Sequence, residues 1–388
     1  PRQNKDGVQH NIEKASGHRP DAGMQRSPLC PDHIGHNHVQ DRRHGAEGHR
    51  PAHVAGSGSQ GIYSFSFDQE TGIATKQANL MLTNPSYLTI SQNGKFIYAV
   101  SEVGNTNATL SAISFNKKTG KMILLNSEPT HGEDPCYVEL GNGFALTANY
   151  SGGTMSYFPL LLNGEVGPNY ALFKGTKNVT DLGRQHLPHI HCTKIAYDGY
   201  IFATDFSGDK ILAYSFDKTK KKIVPQGIAA KIEEHSGPRH LIFSKNGAHV
   251  YLINELSGKV TAFNYVNGKL GFLQSIVSDE AHAKGAADIH LSPDGQFLYT
   301  SNRLKNDGIT IFRVAANGRL TRVGYQQTGI HPRNFAITPN GKFLLVACRD
   351  SNKIQVFRRD ATTGLLENTQ QDIELSKPAC IKFVPASE

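Results

Sequence analysis

Five short segments concentrate the residues that could do chemistry: Pro188-His-Ile-His191, Gly237-Pro-Arg-His240, Asn254-Glu255-Leu256, Ser301-Asn302-Arg303 and Pro332-Arg-Asn-Phe335. They supply His189, His191, Arg239, His240, Glu255, Asn302, Arg303, Arg333 and Asn334. Asn149, Tyr150, Asp205, Asp288, His290 and Arg349 stand at matching places. Imidazoles and a carboxylate can move protons. Guanidinium forks match phosphate and carboxylate geometry and stabilise developing negative charge. One arginine or aspartate at a strand end needs only a structural role, tying neighbouring units together. Histidines in three successive units exceed that need, so the set reads as a polar site for an anionic ligand.

These segments recur because the chain repeats. From about Ser57 onward a unit returns every ~45–53 residues, the period of a repeat architecture. Its start is marked by Pro85-Ser-Tyr-Leu, Pro135-Cys-Tyr-Val, Pro188-His-Ile-His, Pro238-Arg-His-Leu, Ala287-Asp-Ile-His and Pro332-Arg-Asn-Phe, and a partial seventh begins at Pro378-Ala-Cys-Ile. Four units continue through an alternating strand to an Asn-Gly or Asp-Gly turn (Asn93, Asn246, Asp294, Asn340), which supplies the positive φ of a tight hairpin. A second apolar strand, a polar loop, a third strand and a weaker outer strand follow. That is a β-propeller blade. A lone blade exposes two apolar faces, so blades must stack and the ring must close. The expectation is an all-β, seven-bladed β-propeller of four-stranded antiparallel blades, closed by N- and C-terminal strands. In such a meander the start of strand one and the exit of strand two share one side of the sheet. Strand one lines the central channel, so every blade delivers two polar segments to one mouth.

Composition narrows the partners. The net charge of +8 is spread out, without the basic runs or helix that mark nucleic-acid binding. No stretch reaches the ~18 apolar residues of a membrane helix. Cys30, Cys136, Cys192, Cys348 and Cys380 form no CxxC pair and read as reduced packing residues in a reducing compartment, so the expected location is cytoplasmic. Residues 1–56 differ from the rest. They hold His10, His18, His33, His36, His38, His44, His49 and His53, lack an alternating apolar run and show no apolar core of a signal peptide. They are expected to be disordered or non-native, with the fold spanning 57–388. The absence of Trp removes the WD signature of a rival propeller class.

Taken together and in order, the five motifs resemble the seven-bladed propeller lactonase family, typified by bacterial 6-phosphogluconolactonase and related to carboxymuconate cyclases. The resemblance runs from Gly61 to about Val384. It implies hydrolysis of a small anionic, phosphorylated sugar lactone in the pentose phosphate pathway, with no metal or other cofactor, by a monomer or weak homodimer. It puts the catalytic set on His189, His191, Arg239, Glu255 and Arg303. His240, His290, Asn302, Arg333, Asn334, Asn149 and Tyr150 are expected to bind substrate. Glu255 or His191 is expected to be the general base, with Arg239 and Arg303 sharing phosphate and oxyanion. A muconate-type lactonizing cyclase, a lactonase for another sugar acid, and a non-catalytic ligand- or protein-binding propeller are the alternatives. One departure stands out. Where the family has a Gly-Thr-Tyr-Thr strand before Gly61-Ile-Tyr, this chain has His53-Val-Ala-Gly-Ser-Gly-Ser-Gln60, so the closing blade is expected to lack its second strand.

Overall fold

Why the repeat folds as it does is plainest in one blade. Pro238–Phe243, His249–Asn254, Lys259–Val266 and Lys269–Val277 pair in chain order as an antiparallel meander. The first hairpin turns at Asn246-Gly247, where Gly247 has φ of 69°. Ser244 and Asn246 knit that turn: the Ser244 hydroxyl donates to Asn246 Oδ1 at 2.7 Å and accepts from the His249 amide at 2.9 Å. The second strand is buried on both faces, and the outer strand has no buried residue.

The computed structural model describes residues 51–55, 59–178, 180–181 and 183–384, with side chains described from Ser59. All of these lie in the unit Ile34–Glu388, and only that unit is described below. Residues 1–50, with the disorder expected there and Cys30, lie outside the described residues. The described strands form an all-β propeller of antiparallel blades, in six sheets of four strands and one of five. In chain order the inner strands of blades 1 to 6 are Leu88–Ile90, Pro135–Gly141, Ile190–Ile195, Pro238–Phe243, Ala286–Leu291 and Pro332–Ile337. No helix among the described residues is long and apolar enough to cross a membrane.

The remaining sheet corrects the expectation of a missing strand. Pro378–Phe383 pairs with Pro51–Ala55, which pairs with Gly61–Phe67, followed by Ala74–Met81. Pro51–Ala55 fills the second-strand position and lies on the N-terminal side of the boundary expected at residue 57. Unlike the second strands of the other blades, Pro-Ala-His-Val-Ala has no run of large apolar residues by which to recognise it.

Blades are tied by apolar packing and one repeated polar stitch. Tyr98, Tyr251 and Tyr299, each in a second strand, donate to the carbonyls of Gly164, Gly318 and Gly364 in the following blade, at 2.9, 3.0 and 2.8 Å. Tyr251 and Tyr299 are fully buried, and burial of side chains this size stabilises the ring by about 1.5–3 kcal/mol each.

One irregularity positions the functional residues. In blades 2, 3, 4 and 6 the ladder between strands one and two shifts register over a single residue, Cys136, His191, Arg239 and Arg333 respectively, and in blade 5 over Ala287 and Asp288. A bulged residue is released from pairing and re-aimed. Here the shift recurs near the start of strand one, at the mouth.

Candidate active site

Glu255 immediately follows the second strand of blade 4 and is buried. Its Oε2 accepts from Arg239 Nε at 2.7 Å, and its Oε1 accepts from Arg303 Nη2 at 3.0 Å and Arg184 Nη2 at 2.9 Å. His191 Nε2 lies 4.0 Å from Oε2. Burial alone would raise the Glu255 carboxyl, but Arg303, Arg184 and Arg239 hold it well below the ordinary carboxylate range. Each partner comes from a different place. Arg239 is the bulged residue of blade 4, Arg303 follows strand two of blade 5, and Arg184 belongs to the connection between blades 2 and 3.

The two arginines from the blades are committed elsewhere as well. Arg303 donates Nε to Gly285 O at 2.9 Å and Nη1 to His331 Nε2 at 3.1 Å. Burial pulls its guanidinium down to about 9 against the pull of Glu255, so it stays a cation at neutral pH. Arg239 donates Nη1 to the Ala287 carbonyl and lies 3.4 Å from His240 Nε2. Asp350 Oδ2 is 3.3 Å from His331 Nδ1 and pairs with Arg349.

The histidines separate into two kinds. His189 Nδ1 is 2.7 Å from the Tyr150 carbonyl, and its ring stacks on the Tyr150 ring at 4.1 Å. A carbonyl only accepts, so Nδ1 carries the proton and Nε2 the lone pair. Burial lowers its pKa. His191 lies deeper, with Nδ1 3.7 Å from Cys136 Sγ, and burial with Arg239 and His240 beside it holds it well below its ordinary value.

Comparison with known proteins bears on this geometry. Residues 50–383 match the family described as "Lactonase, 7-bladed beta-propeller". The chain belongs to the seven-bladed propeller lactonase family. A Formosa agariphila relative named 6-phosphogluconolactonase is 37% identical over 335 residues, covering 83% of this chain and 95% of its own. A crystal structure from Bacteroides uniformis, described as a candidate 6-phosphogluconolactonase, is 53% identical with a TM-score of 0.85, covering 87% of this chain and 99% of its own. The periplasmic gluconolactonase of Pseudomonas aeruginosa is 29% identical with a TM-score of 0.82, covering 88% and 99%.

Several residues of this lactonase-family chain expected to touch substrate make hydrogen bonds within the fold. Asn302 is buried, donating to Thr310 Oγ1 at 2.9 Å and accepting from Ser278 Oγ at 3.1 Å. Asn149 likewise donates to Thr154 and Ser156 at 2.9 and 2.8 Å. Each ends strand two and spends its amide tying strands within its blade; the residue after it, Tyr150 or Arg303, belongs to the mouth. His240, His290 and Asn334 converge instead on buried Asp288. His240 Nδ1 lies 2.8 Å from Oδ1, His290 Nε2 lies 2.9 Å from Oδ2, and Asn334 Nδ2 donates to Oδ2. Asn334 Oδ1 accepts from the Ile381 amide at 2.7 Å. Burial lowers His240 to about 4, so it is neutral at neutral pH. Arg333 pairs with Glu102 at 3.2 Å, and Asp205 binds the Thr176 amide and hydroxyl.

Arg184, His331 and Glu102 contact Glu255, Arg303 and Arg333 respectively and are missing from the sequence-based set. Glu102 follows Ser101 as Glu255 follows Asn254, a register signal that was there to read. His331 directly precedes the Pro332 motif. Arg184 sits in a connection outside the repeat and carries no such signal. Among the described residues no group of three His, Cys, Asp or Glu is set to hold a metal ion.

Proposed function

We propose that the protein hydrolyses 6-phosphogluconolactone to 6-phosphogluconate at this mouth. The observation that carries the reading is the ionised Glu255 gripped by three guanidiniums, one of which, Arg184, also bonds the Tyr150 that holds a neutral His189 with its lone pair on Nε2. Family membership and relatives named 6-phosphogluconolactonase support the reaction class.

Opening a lactone needs a proton taken from water, stabilisation of the tetrahedral oxyanion and a proton returned to the leaving alkoxide. Of the two groups expected as general base, Glu255 or His191, the carboxylate bound by three arginines is a poor proton acceptor, and burial with Arg239 and His240 beside it holds His191 well below its ordinary value. His189 takes that role: Nε2 removes the proton of the attacking water as its oxygen bonds to the lactone carbonyl. The imidazolium then gives that proton to the ring oxygen as the C–O bond breaks, which leaves the sugar acid and regenerates the neutral ring. Arg239 and Arg303 exceed the charge of Glu255 and supply a positive field for the oxyanion. Arg303, with all three nitrogens engaged, is a poor choice for forking a phosphate. Tyr150 fixes His189 by its carbonyl and ring.

The finer features of the fold belong to the same proposal. Seven blades close into a ring through the sheet that joins Pro378–Phe383 to Pro51–Ala55, with the domain starting near residue 50; the pairing of those two strands and the family match from residue 50 support this. Four buried free thiols, Cys136, Cys192, Cys348 and Cys380, suit a reducing cytoplasmic compartment.

The test is a progress curve for freshly generated 6-phosphogluconolactone at neutral pH, with wild type and His189→Asn. Wild type should exceed the spontaneous rate, and the variant should lose on the order of 100-fold in kcat. A wild-type rate equal to the spontaneous one refutes the proposal.

A further inference from the structure

Three guanidiniums meet Glu255, but only one faces solvent. The side chains of Arg239 and Arg303 are 2% and 7% exposed, whereas that of Arg184 is 46% exposed. Arg184 makes both of its hydrogen bonds through one nitrogen, Nη2, to Glu255 Oε1 and to the Tyr150 hydroxyl at 3.1 Å. Its Nε and Nη1 are not used in any contact among the described residues. The guanidinium lies over the Phe206 ring, with Cζ 5.2 Å from its centroid. Nη1 therefore remains as a charge-assisted N–H donor on a half-exposed guanidinium, able to bond a phosphate oxygen. The sign of the charge agrees: with Glu255 set against Arg239 and Arg303, the Arg184 cation adds positive charge for a phosphate.

The segment carrying Arg184 is built for this placement. The connections between blades are short, the next longest spanning residues 278–285, but that from blade 2 to blade 3 spans 175–189. Long connections over a rigid scaffold commonly carry binding residues. This one is anchored at both ends. Thr176 binds Asp205 through its amide and hydroxyl at 3.0 and 2.7 Å. Gln185, fully buried beside Arg184, donates Nε2 to Phe206 O at 2.7 Å and Asp209 Oδ1 at 2.9 Å. Asp209 in turn accepts from the amides of Ser236 and Gly237 at 3.0 and 2.9 Å, so the anchor reaches the Gly237-Pro-Arg motif. Arg184 is held in place before a ligand arrives, which reduces the ordering cost of binding.

We propose that Arg184, presented by the 175–189 connection, receives the phosphate of the substrate and selects phosphorylated over unphosphorylated sugar lactones. The inference rests on the lactonase reading for the class of ligand. It also addresses a difference among relatives, one named for a phosphogluconolactone and another for a gluconolactone.

The experiment compares wild type, Arg184→Gln and Arg184→Lys in the full chain, with two readouts. The first is the ratio of kcat/KM for 6-phosphogluconolactone to that for glucono-δ-lactone. Glutamine should lower that ratio on the order of 10- to 100-fold, the worth of a charge-assisted hydrogen bond. Lysine should restore part of it. Any loss through Glu255 affects both lactones and cancels in the ratio. The second readout is calorimetric binding of 6-phosphogluconate and gluconate, which needs no turnover. Preference for the phosphorylated acid in wild type, lost in Arg184→Gln, supports the proposal even if hydrolysis fails and the functional reading falls. An unchanged ratio and preference, or equal weakening of both acids, overturns it; equal weakening would place Arg184 on the carboxylate instead.

Discussion

Replacing Glu255 by glutamine separates an organising role from a proton-transfer role, because the two predict different losses of stability. The change keeps volume and one acceptor oxygen but removes the charge. Arg239 and Arg303 are buried against that charge at 2.7 and 3.0 Å. Each such bond is worth about 1.5–3 kcal/mol, and deleting one partner of a buried ion pair costs about 3–5 kcal/mol. The Arg184 contact is half exposed and adds at most about 1 kcal/mol after solvent screening. With one acceptor retained, Glu255→Gln should lower unfolding free energy by about 3 kcal/mol. That is a large share of the ~5–15 kcal/mol typical of folded proteins, yet compatible with a folded variant. Urea denaturation at pH 7 measures it, with Arg184→Ala as the comparison at a loss below about 1 kcal/mol. If Glu255→Gln unfolds within about 0.5 kcal/mol of wild type while its activity collapses, the organising role is refuted and Glu255 returns as the candidate base.

Asn302→Ala should cost about 1–3 kcal/mol of stability, since Ser278 and Thr310 lose their buried partner, and leave KM nearly unchanged; a raised KM at full stability would put Asn302 back in the substrate set. The pH profile of kcat/KM should be flat at neutrality and fall only below pH ~6.5, because burial lowers the His189 pKa and the neutral ring is the working form; an inflection above that value contradicts the assignment. His240, lowered to about 4, is neutral in the fold at pH values where the unfolded chain is protonated. Its contribution is present above pH ~6.5 and lost as pH falls toward 4, on the order of 3 kcal/mol, so urea midpoints should drop across that window. His240→Asn should flatten the drop, and an equal slope in both proteins would contradict the linkage.

The blade was legible because its signals are local: Asn-Gly turns, alternation, and a proline-headed motif at a constant phase. The bulge at His191, Arg239 and Arg333 was not, since a one-residue register shift leaves no trace in periodicity. That shift decides which of two adjacent polar residues belongs to the mouth, and so Arg239 joins Glu255 while its neighbour His240 joins Asp288. Asn149 and Asn302, which precede Tyr150 and Arg303 by one residue, direct their amides into their own blades, and sequence alone does not show that. Arg184 escaped for a different reason: its connection stands outside the repeat, and only folding brings it to Glu255. Pro51–Ala55 was missed because its five residues lack the run of large apolar side chains that marks the second strands of the other blades.

A crystal structure of the full chain with 6-phosphogluconate tests the central claim most directly, because it locates the ligand without relying on the rate of a labile substrate. The sugar acid should lie at the mouth, its carboxylate carbon beside His189 Nε2 and its phosphate on Arg184. Binding at a surface remote from the mouth, or an empty mouth at saturating ligand, would contradict it.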